Sequence, residues 1–435
     1  MVKMSLVAII NSDKDLERRM LRLFTTEGGK PFSLHFASTT DTIMEVLNYD
    51  LPEIAIINLT DPEINYIKVL EQVKQDLWLH NFGIIGLYDS KVMNDTEASS
   101  QLKDYNILGL LDYSRIEHHL LKFVQIIDAN LQIIFQYDLA DKLSGIISGS
   151  FTIDNDLTSV PVYSALALSP LFQHGFIDSE KKMNLLLVMQ ELLINAIEHG
   201  NCKISFDEKT KWLHSGENIG DLVAEKCRDS SIAVKKVYLE WEIMQESSRF
   251  IIRDDGDGFD VQKYKQTHDT DPSLLHGRGI LIARSLVGRL TYSKKGSIVS
   301  FAVDHDTDVM REGPLGFMSG DVIFPVPGDV IFREGEDSDF LYYISSGSFS
   351  ASLNGRIVGS IDSGDIFMGE MAFLLNNKRS VTVTAKTKGK LIKVSRKSFI
   401  TIIQKFPHYG IFLAKLIARK LDRSNREKSA GYVLN

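Results

Sequence analysis

The apolar residues of this chain change period twice, and that change limits what it can fold into. Between residues 4 and 115 they form short, near-continuous runs: "SLVAII" (5–10), "SLHFA" (33–37), "EIAIIN" (53–58), "GIIGLY" (83–88) and "ILGLLD" (107–112). Helical stretches separate the runs, which predicts a parallel sheet covered on both faces. From Ile116 to about Leu143 the spacing becomes helical, with Ile116, Leu120, Phe123, Ile127, Leu131 and Ile134 at steps of four and three. That seam suits either a last helix on its own sheet or a dimer stalk, so a homodimer stays open. Beyond residue 320 turn signals recur at "PGD", "EGE", "SSG", "NG" and "SGD" between short β-rich runs, the texture of an all-β barrel or jelly roll.

With 435 residues there is room for roughly two to four domains. The net charge of -8 argues against a nucleic-acid partner. Two cysteines, Cys202 and Cys227, make no disulfide framework and fit a reducing cytoplasm. No run reaches the ~18 apolar residues of a membrane span, and "NSDKD" interrupts the first apolar run too early for a signal peptide.

The middle of the chain carries the chemistry. A helix predicted over residues 181–200 is apolar around most of its circumference, so it should be buried, yet Glu191, Asn195 and His199 stand four apart on it. Two more patches follow in order: "DDGDGFD" (254–260) after the strand "RFIIR", and "HGRGILIARSLV" (276–287), a glycine-rich turn opening a helix. Asp254 at a strand end can accept from an adenine amino group, and Gly256 and Gly258 permit close backbone approach. Gly277 and Gly279 would present helix N-terminal N–H groups to phosphates. Asn195 offers Mg²⁺ a neutral oxygen, and Glu191 is placed to take a proton from an attacking hydroxyl. Residues 201–236 read as polar and irregular. "YLEWEI", "RFIIRDD" and "SIVSFAV" read as strands, and 305–321 as a linker.

These three patches resemble the N, G1 and G2 boxes of the Bergerat-fold (GHKL) ATPases, over roughly 149–303. Within that superfamily "E-x-x-x-N-A-x-x-H", "HGRGI" and "GSIVSF" are most similar to the anti-sigma-factor serine kinases. The resemblance implies an α/β sandwich that binds ATP through Asn195, His199, Asp254, Gly256, Gly258, Gly277, Arg278 and Gly279. It implies Asn195 as the Mg²⁺ ligand, Glu191 as general base, and Arg278 as a neutraliser of transferring charge. It also implies a protein substrate like an anti-sigma antagonist, and a sigma factor as a further partner. Histidine kinases need a phosphoacceptor neighbourhood that "EHHLLKF", around His118 and His119, lacks. An ATP-driven binding switch without phosphotransfer, an atypical histidine kinase and a scaffold with vestigial sites are the alternatives.

The first five strand units resemble a response-regulator receiver domain of flavodoxin-like fold, without its chemistry. Asn11–Ser12 align with the acidic pair, Asn58 with the phosphoacceptor and Asp112 with the lysine. An amide cannot form an aspartyl phosphate, so the expectation is a pseudo-receiver used for docking or dimerisation. "GEMAFLLNNKRSVTVTA" (369–385) resembles the phosphate cassette of cyclic-nucleotide-binding domains, a β jelly roll with C-terminal helices. Gly369, Glu370, Met371, Ala372, Arg379 and Ser380 are then the expected contacts for cAMP or cGMP. Glu370 would take the ribose hydroxyl and Arg379 the cyclic phosphodiester. The expected domains are 1–128 receiver-like, 129–148 helical linker, 149–304 ATPase or serine kinase, 305–317 linker, 318–425 cyclic-nucleotide-binding and 426–435 tail. Cyclic nucleotide at Glu370 and Arg379 is expected to change how helix 410–423 packs against the kinase.

Overall fold

The computed structural model describes residues 4–26, 32–75, 82–134, 147–244, 246–258, 283–284, 286–287, 290–306, 320–362, 365–375, 377–418 and 421. Strands β1 (Leu6–Ile10), β2 (Ser33–Ala37), β3 (Ile54–Asn58), β4 (Gly83–Tyr88) and β5 (Ile107–Asp112) form a parallel sheet in the order β2-β1-β3-β4-β5. β3 and β4 are buried along their whole length, as apolar strands with both faces covered must be. The helix Ile116–Ala129 lies back on this sheet through Ile116, Leu120, Phe123 and Ile127. It stops at Asn130, and Ile133 and Ile134 in the following turn are buried too. The seam is therefore packed inside the chain as far as residue 134, and the stalk reading gives way to the last-helix reading there. Residues 135–143 lie outside the described residues.

A second sheet is antiparallel: β6 (Ile147–Ile153), β7 (Val237–Ile243), β8 (Ser247–Asp254), β10 (Ile298–Asp304) and β9 (Thr291–Tyr292), in that spatial order. β7 and β10 alternate between buried and exposed residues, so one face only is covered. The helices Val160–Gln173 and Ser179–Asn195 cover it. Val160–Gln173 is apolar on all sides because its other side meets the first sheet: one cluster runs from Ile9, Ile56 and Leu111 through Phe123 and Leu166 to Trp241 and Phe250. Two polar contacts cross the same boundary. Asn106 Nδ2 donates to Ser169 Oγ (2.8 Å), and the buried Lys182 donates to the Tyr105 carbonyl (2.6 Å) while lying 3.9 Å from the Phe172 ring centre.

Residues 201–236 are a correction to the sequence reading. They hold three short helices, Phe206–His214, Ile219–Lys226 and Ser230–Ala233, capped by Ser205, Asn218 and Asp229. Only Leu222 and Val223 among their residues are buried, so no apolar face announced them.

The C-terminal part packs two four-stranded sheets: β11 (Asp321–Ile323), β18 (Lys390–Ser395), β13 (Phe340–Ser346) and β16 (Phe367–Met368) against β12 (Val330–Phe332), β17 (Thr382–Ala385), β14 (Phe349–Leu353) and β15 (Arg356–Ile361). Asn354 and Gly355 turn the β14–β15 hairpin with φ of 49° and 77°, as a type I′ turn requires. Helices Arg396–Lys405 and 408–418 close one end. The second of these meets the first sheet's domain: Lys415 donates to the Asp50 and Tyr49 carbonyls, and Leu51 packs into its apolar cluster. For the helix expected over 410–423, the contacts described as far as residue 418 include residues 49–51. The apolar face of this helix meets Leu51, and its lysine meets a helical C-terminus.

Candidate functional site

The helix Ser179–Asn195 begins with the Asp178 side chain accepting from Lys181 N, and its apolar residues Leu185, Val188, Met189, Leu192 and Leu193 are buried. Glu191 and Asn195 sit half-buried on its remaining side, and Asn195 Nδ2 donates to Glu191 Oε1 at 3.1 Å. That bond turns the amide oxygen of Asn195 away from the carboxylate. The last turn, Ala196–Asn201, is π-helical. His199 sits in it with Nδ1 at 2.6 Å from the Ile204 carbonyl and its ring 4.5 Å from that of Phe206. Its ring nitrogen is thereby engaged by the segment that follows the helix.

Asp254 ends β8, where its N–H is held by the Ser297 carbonyl and its Oδ1 accepts from Gly256 N at 2.9 Å. Burial pushes its carboxyl above the ordinary carboxylate range; the Gly256 N–H opposes the rise and the neighbouring Asp255 adds to it. The carboxylate lies directly on the end of the central helix. A Cβ on Gly200 would stand 2.6 Å from Asp254 Oδ1, and one on Gly256 would stand 2.2 Å from the Gly200 carbonyl oxygen. Gly258, at φ 79°, would clash with the Lys295 carbonyl at 1.8 Å. The glycines of "DGDG" are thus required by backbone packed against backbone.

Two residues that the sequence reading missed hold this arrangement. Gly200 gives Asp254 its place. Asn201, fully buried, accepts from Asp255 N (2.9 Å) and donates to Asn155 Oδ1 (2.8 Å). The signal was the dipeptide after His199, which looks like an ordinary helix end. Glu198, also buried, pairs with Lys209 of the inserted helices at 2.6 Å. Gly277, Arg278 and Gly279 lie outside the described residues. A separate cleft lined by Asp178, Lys181, Asn184, Val287 and Asp304 opens at the other end of the central helix and includes none of Glu191, Asn195 or Asp254.

The C-terminal candidate site centres on Arg379, 3% exposed inside the sandwich. Its guanidinium donates to the Gly369 carbonyl (2.8 Å) and the Phe340 carbonyl, and lies 4.3 Å from the Phe332 ring centre. Burial lowers its pKa from the ordinary arginine value, against the opposing influence of Tyr342, Glu336, Asp339 and Glu370. Its Nε is buried and, among the described residues, has no hydrogen-bond partner. A buried cation with an unsatisfied donor fits an anionic ligand, whose oxygens would supply that partner. Gly369 has φ 76°, and a Cβ there would strike the guanidinium at 2.1 Å. Glu370 and Ala372 are buried at the start of the helix Glu370–Leu375, while Met371 and Ser380 are exposed.

Residues 154–303 match the family described as the Histidine kinase-like ATPase domain, and residues 326–406 match the Cyclic nucleotide-binding domain. Among curated proteins the chain is similar to a cAMP-dependent protein kinase type II regulatory subunit of Drosophila melanogaster, 38% identical over 79 residues, 18% of this chain and 21% of the relative. It is also similar to a cGMP-dependent protein kinase of Toxoplasma gondii, 40% identical over 73 residues, 17% of this chain and 7% of the relative. The chain therefore spans well under a third of these relatives. Of solved structures, the catabolite activator protein of Thermus thermophilus is 26% identical, with 27% of this chain and 56% of that chain covered, at a TM-score of 0.25, too low to carry an argument. No helix among the described residues is long and apolar enough to cross a membrane. The chain thus carries a histidine kinase-like ATPase domain followed by a cyclic nucleotide-binding domain.

Proposed function

We propose that this chain is a cyclic-nucleotide-responsive protein kinase that transfers the γ-phosphate of ATP to a serine or threonine of a partner. The observation that carries this reading is the Asn195–Glu191 pair, half-buried one turn apart on the central helix, beside which the Asp254 carboxylate is seated on Gly200. Asp254 receives the adenine amino group. Asn195 directs its amide oxygen away from Glu191, the donor type that Mg²⁺ takes alongside phosphate oxygens; bound there, Mg²⁺ would neutralise charge on the phosphates. Glu191 accepts the proton of the attacking hydroxyl. The motif resemblance implies Gly277, Arg278 and Gly279 as further phosphate contacts. The motif resemblance to anti-sigma serine kinases makes an anti-sigma-antagonist-like protein the expected substrate and a sigma factor a downstream partner.

The order β2-β1-β3-β4-β5 supports a receiver-like N-terminal domain. Its centre supports the pseudo-receiver reading: Asn58 donates to Asn11 Oδ1 (2.8 Å) and accepts from Thr60 N and the Tyr113 hydroxyl, so the aligned acceptor position is an amide already engaged on both atoms. Buried Arg379 supports cAMP or cGMP as the effector.

The test is basal phosphate release from Mg·ATP by the full chain, with water standing in for the hydroxyl. Glu191→Gln should keep ATP affinity within about twofold and slow release by roughly 10²-fold or more. A second reading, ATP as a conformational ligand without transfer, is favoured by the bond that Asn195 already makes to Glu191. Mg·ATP bound by the wild type with no phosphate released would select it, and unchanged release in Glu191→Gln would remove Glu191 as the base.

A further inference from the structure

Leu51 is the residue whose backbone is hardest to explain within its own domain. It has φ 51° and ψ 67°, the left-handed region, and it precedes Pro52. That region crowds the Cβ of a non-glycine residue, and a following proline disfavours helical geometry further. The residue ends the π-helical turn Val46–Asp50, its N–H bonded to the Val46 carbonyl at 3.3 Å. Its side chain is lodged in the C-terminal domain, among a cluster that includes Phe406, Tyr409, Phe412 and Leu413. Lys415 secures the same corner by donating to the Asp50 and Tyr49 carbonyls, a cation placed at a helical C-terminus.

Both ends of this contact run on into a nucleotide site. On one side the cluster holding Leu51 also holds Phe373, in the helix that Glu370 begins; the Phe373 ring meets Phe399 edge-on at 5.4 Å, and Arg396 donates to the Phe373 carbonyl at 2.8 Å. On the other side Val46 and Leu47 share a core with Tyr105. The Tyr105 carbonyl accepts from Lys182, which belongs to the same helix as Glu191 and Asn195.

We propose that cyclic nucleotide controls the ATP site through the N-terminal domain, with the corner Tyr49–Leu51 as the docking surface that receives the helix over 408–418. Ligand at Arg379 shifts the cassette helix, the shift moves the aromatic cluster, and the Leu51 corner passes it to Tyr105 and Lys182. The N-terminal domain then acts as a coupler, which gives an engaged, phosphate-refusing receiver-like centre a use. This inference rests on the proposed ATP and cyclic-nucleotide sites.

The test uses the full chain and its double variant Leu51→Gly/Lys415→Met. Glycine accepts the left-handed backbone, so the variant removes the anchor without straining the turn. Mg·ATP affinity is measured with and without saturating cAMP. The wild type should change affinity by about fivefold or more. The variant should change it by less than about twofold while binding each ligand alone as the wild type does. Coupling retained in the variant, or two ligands bound by the wild type without coupling, overturns the relay. If the wild type binds no Mg·ATP, the kinase reading fails instead. The relay is then decided by amide exchange at Leu51, which must change on adding cAMP and must not if the relay is wrong.

Discussion

A carboxylate seated on a glycine joins the end of the central helix to β8 in the ATPase domain. Gly200→Ala would put a methyl 2.6 Å from Asp254 Oδ1. The expected cost is about 1–3 kcal/mol of stability and at least about tenfold in ATP affinity, read by denaturant unfolding and nucleotide titration. Asp254 itself works against stability. Burial raises its pKa in the folded chain, so the folded state holds the proton more tightly than the unfolded one. Its contribution turns unfavourable as pH rises from the ordinary carboxylate value, about 3.9, through the raised one. At pH 7 Asp254→Asn should therefore raise the unfolding midpoint, while ATP affinity falls at least about tenfold if adenine binds here, since an amide that keeps its oxygen on the Gly256 N–H turns its NH2 donor toward the adenine amino group. In the other site Arg379→Lys should weaken cAMP binding by about tenfold or more, because one ammonium cannot hold the Gly369 and Phe340 carbonyls and a phosphodiester together. Asp254, Glu191 and Asn195 were visible in the sequence because each is a polar group in an apolar or glycine-rich setting, and Arg379 because "GEMAFLLNNKRSVTVTA" resembles a phosphate cassette. Gly200 and Asn201 were not, because what they do depends on a strand more than fifty residues away.

At the scale of elements, legibility followed burial. β3 and β4 are apolar throughout and could be read to within a residue. The helices of 205–236 show few buried residues, and what defines them is their caps, such as Ser205 accepting from Glu208 N. That serine followed three residues later by a glutamate was a readable signal. These helices are bound to the site's helix by Lys209, whose ammonium meets the buried Glu198 at 2.6 Å. Lys209→Ala strands that carboxylate and should cost about 2–3 kcal/mol, discounted for the partial exposure of the lysine, by denaturant unfolding of the full chain.

At the scale of the molecule, the domains expected from the sequence are not independent beads. Periodicity distinguished the three textures, but it carries no information on which faces meet. The cluster that joins Ile56 and Leu111 to Leu166 and Phe250 makes the first two sheets share one core through the helix Val160–Gln173. A fragment of residues 147–306 would expose that helix's far side and should associate on size-exclusion chromatography where the full chain does not; a monodisperse, folded fragment would contradict the shared core. Ligand measurements accordingly belong on the full chain. The most direct is calorimetric titration of Mg·ATP into the wild type and Asn195→Ala. Saturable binding that the substitution weakens by at least about tenfold, with unfolding unchanged, is the predicted result. No heat from the wild type, or equal affinity in both, would contradict a nucleotide held at Asn195.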